Sequence, residues 1–200
     1  MSVAQAERLR AVLLDPLEAR GIDVAGSVAA AVLAALYERD GELHTVFTKR
    51  RSDLRLHAGQ ISFPGGRSEP GDADLIQTAL RETHEEIGLD PAAVTLLGAL
   101  PPTATVVTDI AIYPIVGLIP APTQPWKIAA GEVESVIESS LSALHATHRR
   151  ETFTRGNGQS ITTDVYTIGD DTIWGATGRI VNDLLVALTS ARPDGPAKRP

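Results

Sequence analysis

The sequence predicts an α/β fold in which a mixed β-sheet is covered by helices on its faces. Three observations predict it. Most of the chain between residues 27 and 167 reads as short strands. One helical pattern interrupts them at 72–87, and a second closes the chain at about 177–189. Finally, 200 residues fit one ordinary domain, and 43% hydrophobic residues are enough to build its core.

Taken in order, residues 1–26 form a helical segment expected to pack on the domain, 27–190 the domain itself, and 191–200 a disordered tail. The first segment has Leu and Val at amphipathic spacing. Charges interrupt it every few residues, which argues against a signal peptide. Ser27 to Tyr37 is Ala-rich and could be helical on propensity alone. A strand is preferred, because Asp40-Gly41 supplies a turn and Leu43 to Lys49 then alternates apolar and polar residues. Gln60 to Phe63 reads as a short strand ending at Pro64-Gly65-Gly66.

Asp72 to Ile87 is the clearest helix. Asp74 can cap it with Gln77 as the reciprocal partner, and Gly88 followed by Pro91 stops it. Ile76, Leu80, Thr83 and Ile87 are expected to form its buried stripe. Strands follow at Val94 to Leu100, Ile110 to Ile119 and Val133 to Glu138. Asn157-Gly158 marks a hairpin between 152–154 and 161–167. Ile180, Leu184 and Leu188 share one face of the last helix.

The composition excludes several function classes. A net charge of −7 argues against a nucleic-acid-coating surface, while leaving small anionic substrates open. No apolar run approaches the roughly 18 residues needed to span a bilayer, so no membrane association is expected. The absence of cysteine removes disulfides, thiolate zinc sites and a Cys nucleophile, and suits a reducing, cytoplasmic compartment. No Gly-x-Ser-x-Gly elbow appears, which disfavours a serine hydrolase.

Chemistry concentrates in Arg81-Glu82-Thr83-His84-Glu85-Glu86-Ile87-Gly88-Leu89. Glu82 and Glu86 are one helical turn apart on the same face, and Glu85 is adjacent. Like charges at this spacing repel, and each pair costs roughly 0.2–0.5 kcal/mol. They also crowd the end of the helix where the dipole disfavours anions. A hard divalent cation, Mg²⁺ or Mn²⁺, would compensate them. The plainer reading is a solvated acidic face. The neighbouring Phe63-Pro64-Gly65-Gly66 favours the metal, since paired glycines let backbone approach a ligand closely. Arg81 is placed to hold the Glu85 carboxylate.

These residues resemble the Nudix signature: Gly, five residues, Glu, seven residues, then Arg-Glu-U-x-Glu-Glu-x-Gly-U, with U aliphatic. The second half departs only at Thr83. The first half fits Gly66 and Asp72 if one residue is inserted before Arg81, with Asp replacing Glu. A second stretch, Thr48-Lys49-Arg50, Arg55, Gly59 and Phe63-Pro64-Gly65-Gly66, resembles the motif preceding that box in coenzyme A pyrophosphatases, with Arg51 where Ser or Ala is usual. Ile173-Trp174-Gly175-Ala176-Thr177 is similar to the same subfamily's Ile-Trp-Gly-x-Thr.

The resemblance implies a Nudix-type α/β/α sandwich that hydrolyses a nucleoside diphosphate linked to another group. The implied substrate is coenzyme A, cut to 4′-phosphopantetheine and adenosine 3′,5′-bisphosphate. Glu82 and Glu86, with Glu85 and the Gly65 carbonyl, are the implied metal ligands. Glu85 and Glu132 are both candidates for the general base, Glu132 because it sits where a loop enters a strand. Arg50, Arg55 and Arg67 could bind the substrate's phosphates, or be ordinary surface residues. His57 could hydrogen-bond substrate or serve the structure. His84 is expected to be a neighbour rather than a ligand. Trp174 could stack on adenine, with core packing preferred, and His145 and His148 are expected on the solvent side. Other nucleoside diphosphate derivatives such as ADP-ribose, or a catalytically silent nucleotide-binding module, are the alternative readings. A homodimer stays open.

Overall fold

The computed structural model describes residues 3–53, 59–105, 109–154, 158 and 160–191. Helices α1 (Val3–Val12) and α2 (Pro16–Arg20) lead into the long strands β1 (Val28–Arg39) and β2 (Glu42–Arg50). The short strands β3 (Ile61–Ser62) and β4 (Gly65–Arg67) precede helix α3 (Leu75–Ile87). Strands β5 (Thr95–Ala99), β6 (Thr103–Ala104), β7 (Ile110–Leu118) and β8 (Val133–Ser140) follow. The chain ends in α4 (Leu141–Thr147), β9 (Arg149–Thr154), β10 (Ser160–Ile168), β11 (Asp171–Ile173) and α5 (Gly175–Ser190).

The main sheet is mixed. Its order is β3-β2-β1-β7-β5, with β4 on β1, β6 on β7 and β8 on β2, and only β1–β7 among these pairs is parallel. β9, β10 and β11 form a second, antiparallel sheet. Strand β1 shows why the Ala-rich segment is extended. Its side chains alternate between two cores: Val32, Ala34 and Leu36 enter one, Ala31, Leu33, Ala35 and Tyr37 the other. A strand buried on both faces reads as one continuous apolar run. Helix α3 covers the second face, and α1, α4 and α5 contribute to the core on the first. The result is an α/β/α sandwich.

The turn at Asp40-Gly41 has φ of 54° and 79°, the left-handed pair that a tight hairpin requires. Inward of the Leu36–Thr45 pair, β1 turns to pair with β4 and β2 with β3. Phe63 and Pro64 link those two short strands, so Gly65-Gly66 lies in the fork between the long ones.

Helix α3 is capped as expected: Asp74 accepts from the Gln77 amide at 2.8 Å, the Gln77 side chain accepts from the Ala73 amide, and Gly88 closes the helix at φ 72°. Its inward face is rotated from the expected stripe. Leu75, Thr78, Ala79, Thr83 and Ile87 are buried, whereas Ile76 and Leu80 are only partly so. Small residues at 78, 79 and 83 let the helix lie close to the sheet. Thr83 is tolerated there because its hydroxyl donates to the Ala79 carbonyl at 2.6 Å.

Strand β8 runs past its expected end at Glu138 to Ser140, whose side chain caps α4. One other expectation changes. Trp174 is not core. It is 49% exposed and lies against Phe153, because the inward place at the end of β11 is taken by the fully buried Ile173. His145 and His148 are on the exposed side as expected, although His148 also pairs with Asp164 and stacks on Tyr166. The N-terminal segment is tied to the sheet by reciprocal 2.9 Å bonds between Leu14 and Ala99, and to the end of α5 by Arg8 and the Ala191 carbonyl. Asn157 and the tail from 192 onward lie outside the described residues, and among the described residues no helix is long and apolar enough to cross a membrane.

Candidate active site

Helix α3 presents its acids to the glycine fork. The Gly65 amide donates to Glu86 Oε2 at 3.2 Å. A side chain at Gly66 would strike the Glu82 carboxylate, with a Cβ only 2.6 Å from Oε1. A Cβ at Gly65 would meet the β1 backbone, and its φ of 150° favours glycine as well. The two glycines therefore have separate jobs. Gly65 lets the fork close on β1, and Gly66 leaves room for Glu82.

The carboxylates are poorly compensated. Burial pushes Glu86 up to about 7; the Gly65 N–H and Arg50 oppose this, while the charges of Glu82 and Glu132 reinforce it. Glu82 is also raised, again chiefly by burial, although Arg81 Nη1 donates to it at 3.0 Å. Glu85 differs. Its side chain is 58% exposed, and its ion pair with Arg81 is longer, at 3.5 Å.

Arg81 serves another acid first. Its Nε and Nη2 form a fork on Asp72 at 2.9 and 3.0 Å, rather than being aimed at Glu85. Asp72 is 3% exposed at its side chain and also accepts from the Glu69 amide and the Thr78 hydroxyl. Led by the Arg81 bonds, these hold its carboxyl well below the usual range and leave Arg81 firmly charged. The first acid of the signature thus fixes the loop to the helix and aims Arg81. The one-residue offset concealed that role in the sequence. Asking what neutralises a half-buried Arg at the centre of an acidic helix would have pointed to it.

The base candidate Glu132 comes to the same place from a distant loop. Its charge is felt by both Glu82 and Glu86, and its carboxylate lies 3.8 Å from Arg50 Nη1. Arg50 Nε is buried with no hydrogen-bond partner among the described residues. Arg67 is exposed on β4, and its carbonyl accepts from Arg81 Nη2. His84 Nδ1 lies 3.1 Å from the Leu89 carbonyl, a structural bond at the helix end. Arg55 and His57 lie outside the described residues.

The donor set fits a hard divalent ion. Two partly buried carboxylates facing one fork have few donors of their own, and a cation would offset both. Among the described residues no three acidic or His side chains converge tightly enough to chelate an ion alone.

A Nudix domain profile matches residues 28–112, which span the fork and the acidic helix. Curated proteins from Salmonella paratyphi B and Salmonella newport, both named uncharacterized Nudix hydrolase NudL, are 38% identical to this chain over 146 residues, covering 72% of it and 74% of each relative. The chain belongs to the Nudix hydrolase family, enzymes that act on nucleoside diphosphate derivatives and generally use divalent metal ions such as Mg²⁺ or Mn²⁺. Among solved structures, the Caenorhabditis elegans Ap4A hydrolase complex is 18% identical at a TM-score of 0.47, covering 57% of this chain and 81% of its own. The Escherichia coli ORF135 protein is 22% identical at 0.47, covering 83% and 94%. These likenesses are too distant to bear on substrate.

Proposed function

We propose that this chain is a metal-dependent pyrophosphohydrolase of coenzyme A or its derivatives, releasing 4′-phosphopantetheine and adenosine 3′,5′-bisphosphate. The observation that carries the hydrolase reading is the pair Glu82 and Glu86, partly buried against Gly65-Gly66 with too few donors of their own. The substrate reading is supported by Thr48-Lys49-Arg50, Phe63-Pro64-Gly65-Gly66 and Ile173-Trp174-Gly175-Ala176-Thr177, which resemble coenzyme A pyrophosphatase motifs.

Glu82 and Glu86 would hold the metal, with Glu85 and the Gly65 carbonyl as further ligands. When bound, such ions offset charge on the non-bridging oxygens and polarise the attacking water. The chain's own residues do the rest. The Gly65 N–H and Arg81 keep the two glutamates oriented. Arg50 supplies cationic donors to a diphosphate oxygen. Glu132, the more exposed carboxylate facing the same fork, takes the proton from water. Glu85, paired with Arg81 on the outer side, is the other candidate for that step.

Incubation with coenzyme A and Mg²⁺ in ¹⁸O-labelled water tests both levels. Mass spectra should show both products, with the label on one phosphate only. A side-by-side kcat/KM comparison should favour coenzyme A over ADP-ribose. Preference for ADP-ribose would overturn the substrate reading, and binding without any product would overturn the hydrolase reading.

A further inference from the structure

The segment that delivers Glu132 contains Pro120, Pro122 and Pro125 and has no regular structure between β7 and β8. It nevertheless docks on α3 through specific bonds. The Lys127 amide donates to the Ile87 carbonyl at 3.1 Å, and the Ala129 amide to the Glu86 carbonyl at 2.9 Å. These satisfy carbonyls that every helix end leaves open. Gly88 permits the approach, since a Cβ there would lie 2.8 Å from Lys127 Cβ. Beyond the dock, the Glu132 amide donates to Ala129 O, while its carbonyl accepts from the Arg51 amide at 3.0 Å.

Immediately before the dock the segment is also held by side chains. Trp126 Nε1 donates to Glu138 Oε1 at 2.7 Å. Arg39 Nη1 donates to the other oxygen, Oε2, at 2.6 Å, and Arg39 Cζ lies 5.0 Å from the Tyr37 ring centroid. Burial opposes ionisation of Glu138, yet the bonds from Trp126 and Arg39 hold it below the usual range. The indole packs against the core cluster that contains Tyr37 and Ile87. A single carboxylate on β8 thus joins β1 to the incoming loop, six residues before the base candidate.

We infer that Trp126, Glu138 and Arg39 form a latch that positions Glu132 against the acidic helix. The inference rests on the assignment of Glu132 as the proton acceptor. All three are positioning residues acting through the loop. The physical reason is entropic: an irregular segment held at fewer points samples more placements, and each added anchor narrows them.

The test is a double-mutant cycle. Trp126→Phe deletes one donor and keeps an aromatic ring, and Glu138→Gln keeps an acceptor for the indole while removing the ion pair. Each should lower kcat by about fivefold to tenfold with KM within about twofold, as displacement of an aligned group does. Circular dichroism should show both variants folded. In the Glu132→Gln background, Trp126→Phe should have no further effect on kcat. Wild-type kcat in folded Trp126→Phe, beside a crippled Glu132→Gln, would overturn the latch alone. An equal loss from Trp126→Phe in both backgrounds would also overturn it. Glu132→Gln turning over normally would remove the base assignment and the latch with it. Should Trp126→Phe fail to fold, Glu138→Gln run through the same cycle decides the question by the same criteria.

Discussion

Asp72 and Glu86 are both carboxylates held against helix α3, and they sit in opposite electrostatic states. Asp72 is surrounded by donors: an Arg fork, a backbone amide and a hydroxyl. Glu86 is partly buried with one amide, the charge of Arg50 and two like-charged neighbours. The first is held well below the usual carboxylate range and the second raised to about 7. Burial alone therefore does not decide what an acid does. The satisfied acid builds the scaffold, and the unsatisfied one marks where something else must come.

Replacing the unsatisfied acid should have the largest effect on turnover. Glu86→Gln is expected to lower kcat by about a thousandfold, the scale of losing an electrostatic contributor to the transition state. The fold should survive, because Gln is isosteric and removes a buried charge. Steady-state kinetics beside a thermal melt would check both halves, and near-normal turnover would detach Glu86 from the metal site. Gly66→Ala should come next. It drives a methyl into the Glu82 carboxylate and should weaken Mn²⁺ binding by about tenfold to a hundredfold, read by calorimetry. Unchanged affinity would mean that Glu82 does not need its present position.

Asp72→Asn attacks the satisfied acid. It should destabilise the protein by about 2 kcal/mol, as loss of charge-assisted hydrogen bonds does, and lower kcat moderately as Arg81 loosens. A urea titration would measure the first effect. No change in the midpoint would show that Arg81 keeps its place through Glu82 alone.

The pH dependence of stability sharpens the contrast further, because the two acids tilt it in opposite directions. The Asp72 carboxyl is lowered on folding, so its contribution is present above its ordinary value of 3.8 and is lost as pH falls towards the folded value. Glu86 is raised from 4.5 to about 7, so the metal-free protein should lose stability as pH rises through that window. Mg²⁺ should reverse this second slope, and Glu86→Gln should flatten it. Thermal melts from pH 4 to 8 with and without metal would show either behaviour, and a metal-free profile flat between 4.5 and 7 would contradict the burial of Glu86.

The helix and its chemistry were legible because their signals are local. Asp74, Gln77 and Gly88 announce the ends of α3, and the Glu82–Glu86 spacing follows from the helical period. Asp40-Gly41 was enough to turn an Ala-rich stretch into a strand. What the sequence hid depends on distant partners. Trp174 points outward because Ile173 holds the inward position, and nothing in the Ile-Trp pair says which faces in. The inward face of α3 runs through Thr78 and Ala79, where the sheet lies too close for larger side chains. Trp126 met Glu138 and Arg39 across three separate elements, a meeting that no spacing in the chain encodes. The role of Asp72 was concealed by one extra residue in the loop before the helix.

The parallel pairing of β1 with β7 has a further consequence. Val28 is registered opposite Ile110, and Leu36 opposite Leu118. Some eighty residues separate the partners in the chain, so this seam closes late when the protein folds. Strand β4, which carries the paired glycines, hydrogen-bonds to Ala30–Val32 of the same β1. Fork and acidic helix are thus complete in the chain by residue 88, while the strand that β4 leans on gains its parallel partner only when residues 110–118 close the seam.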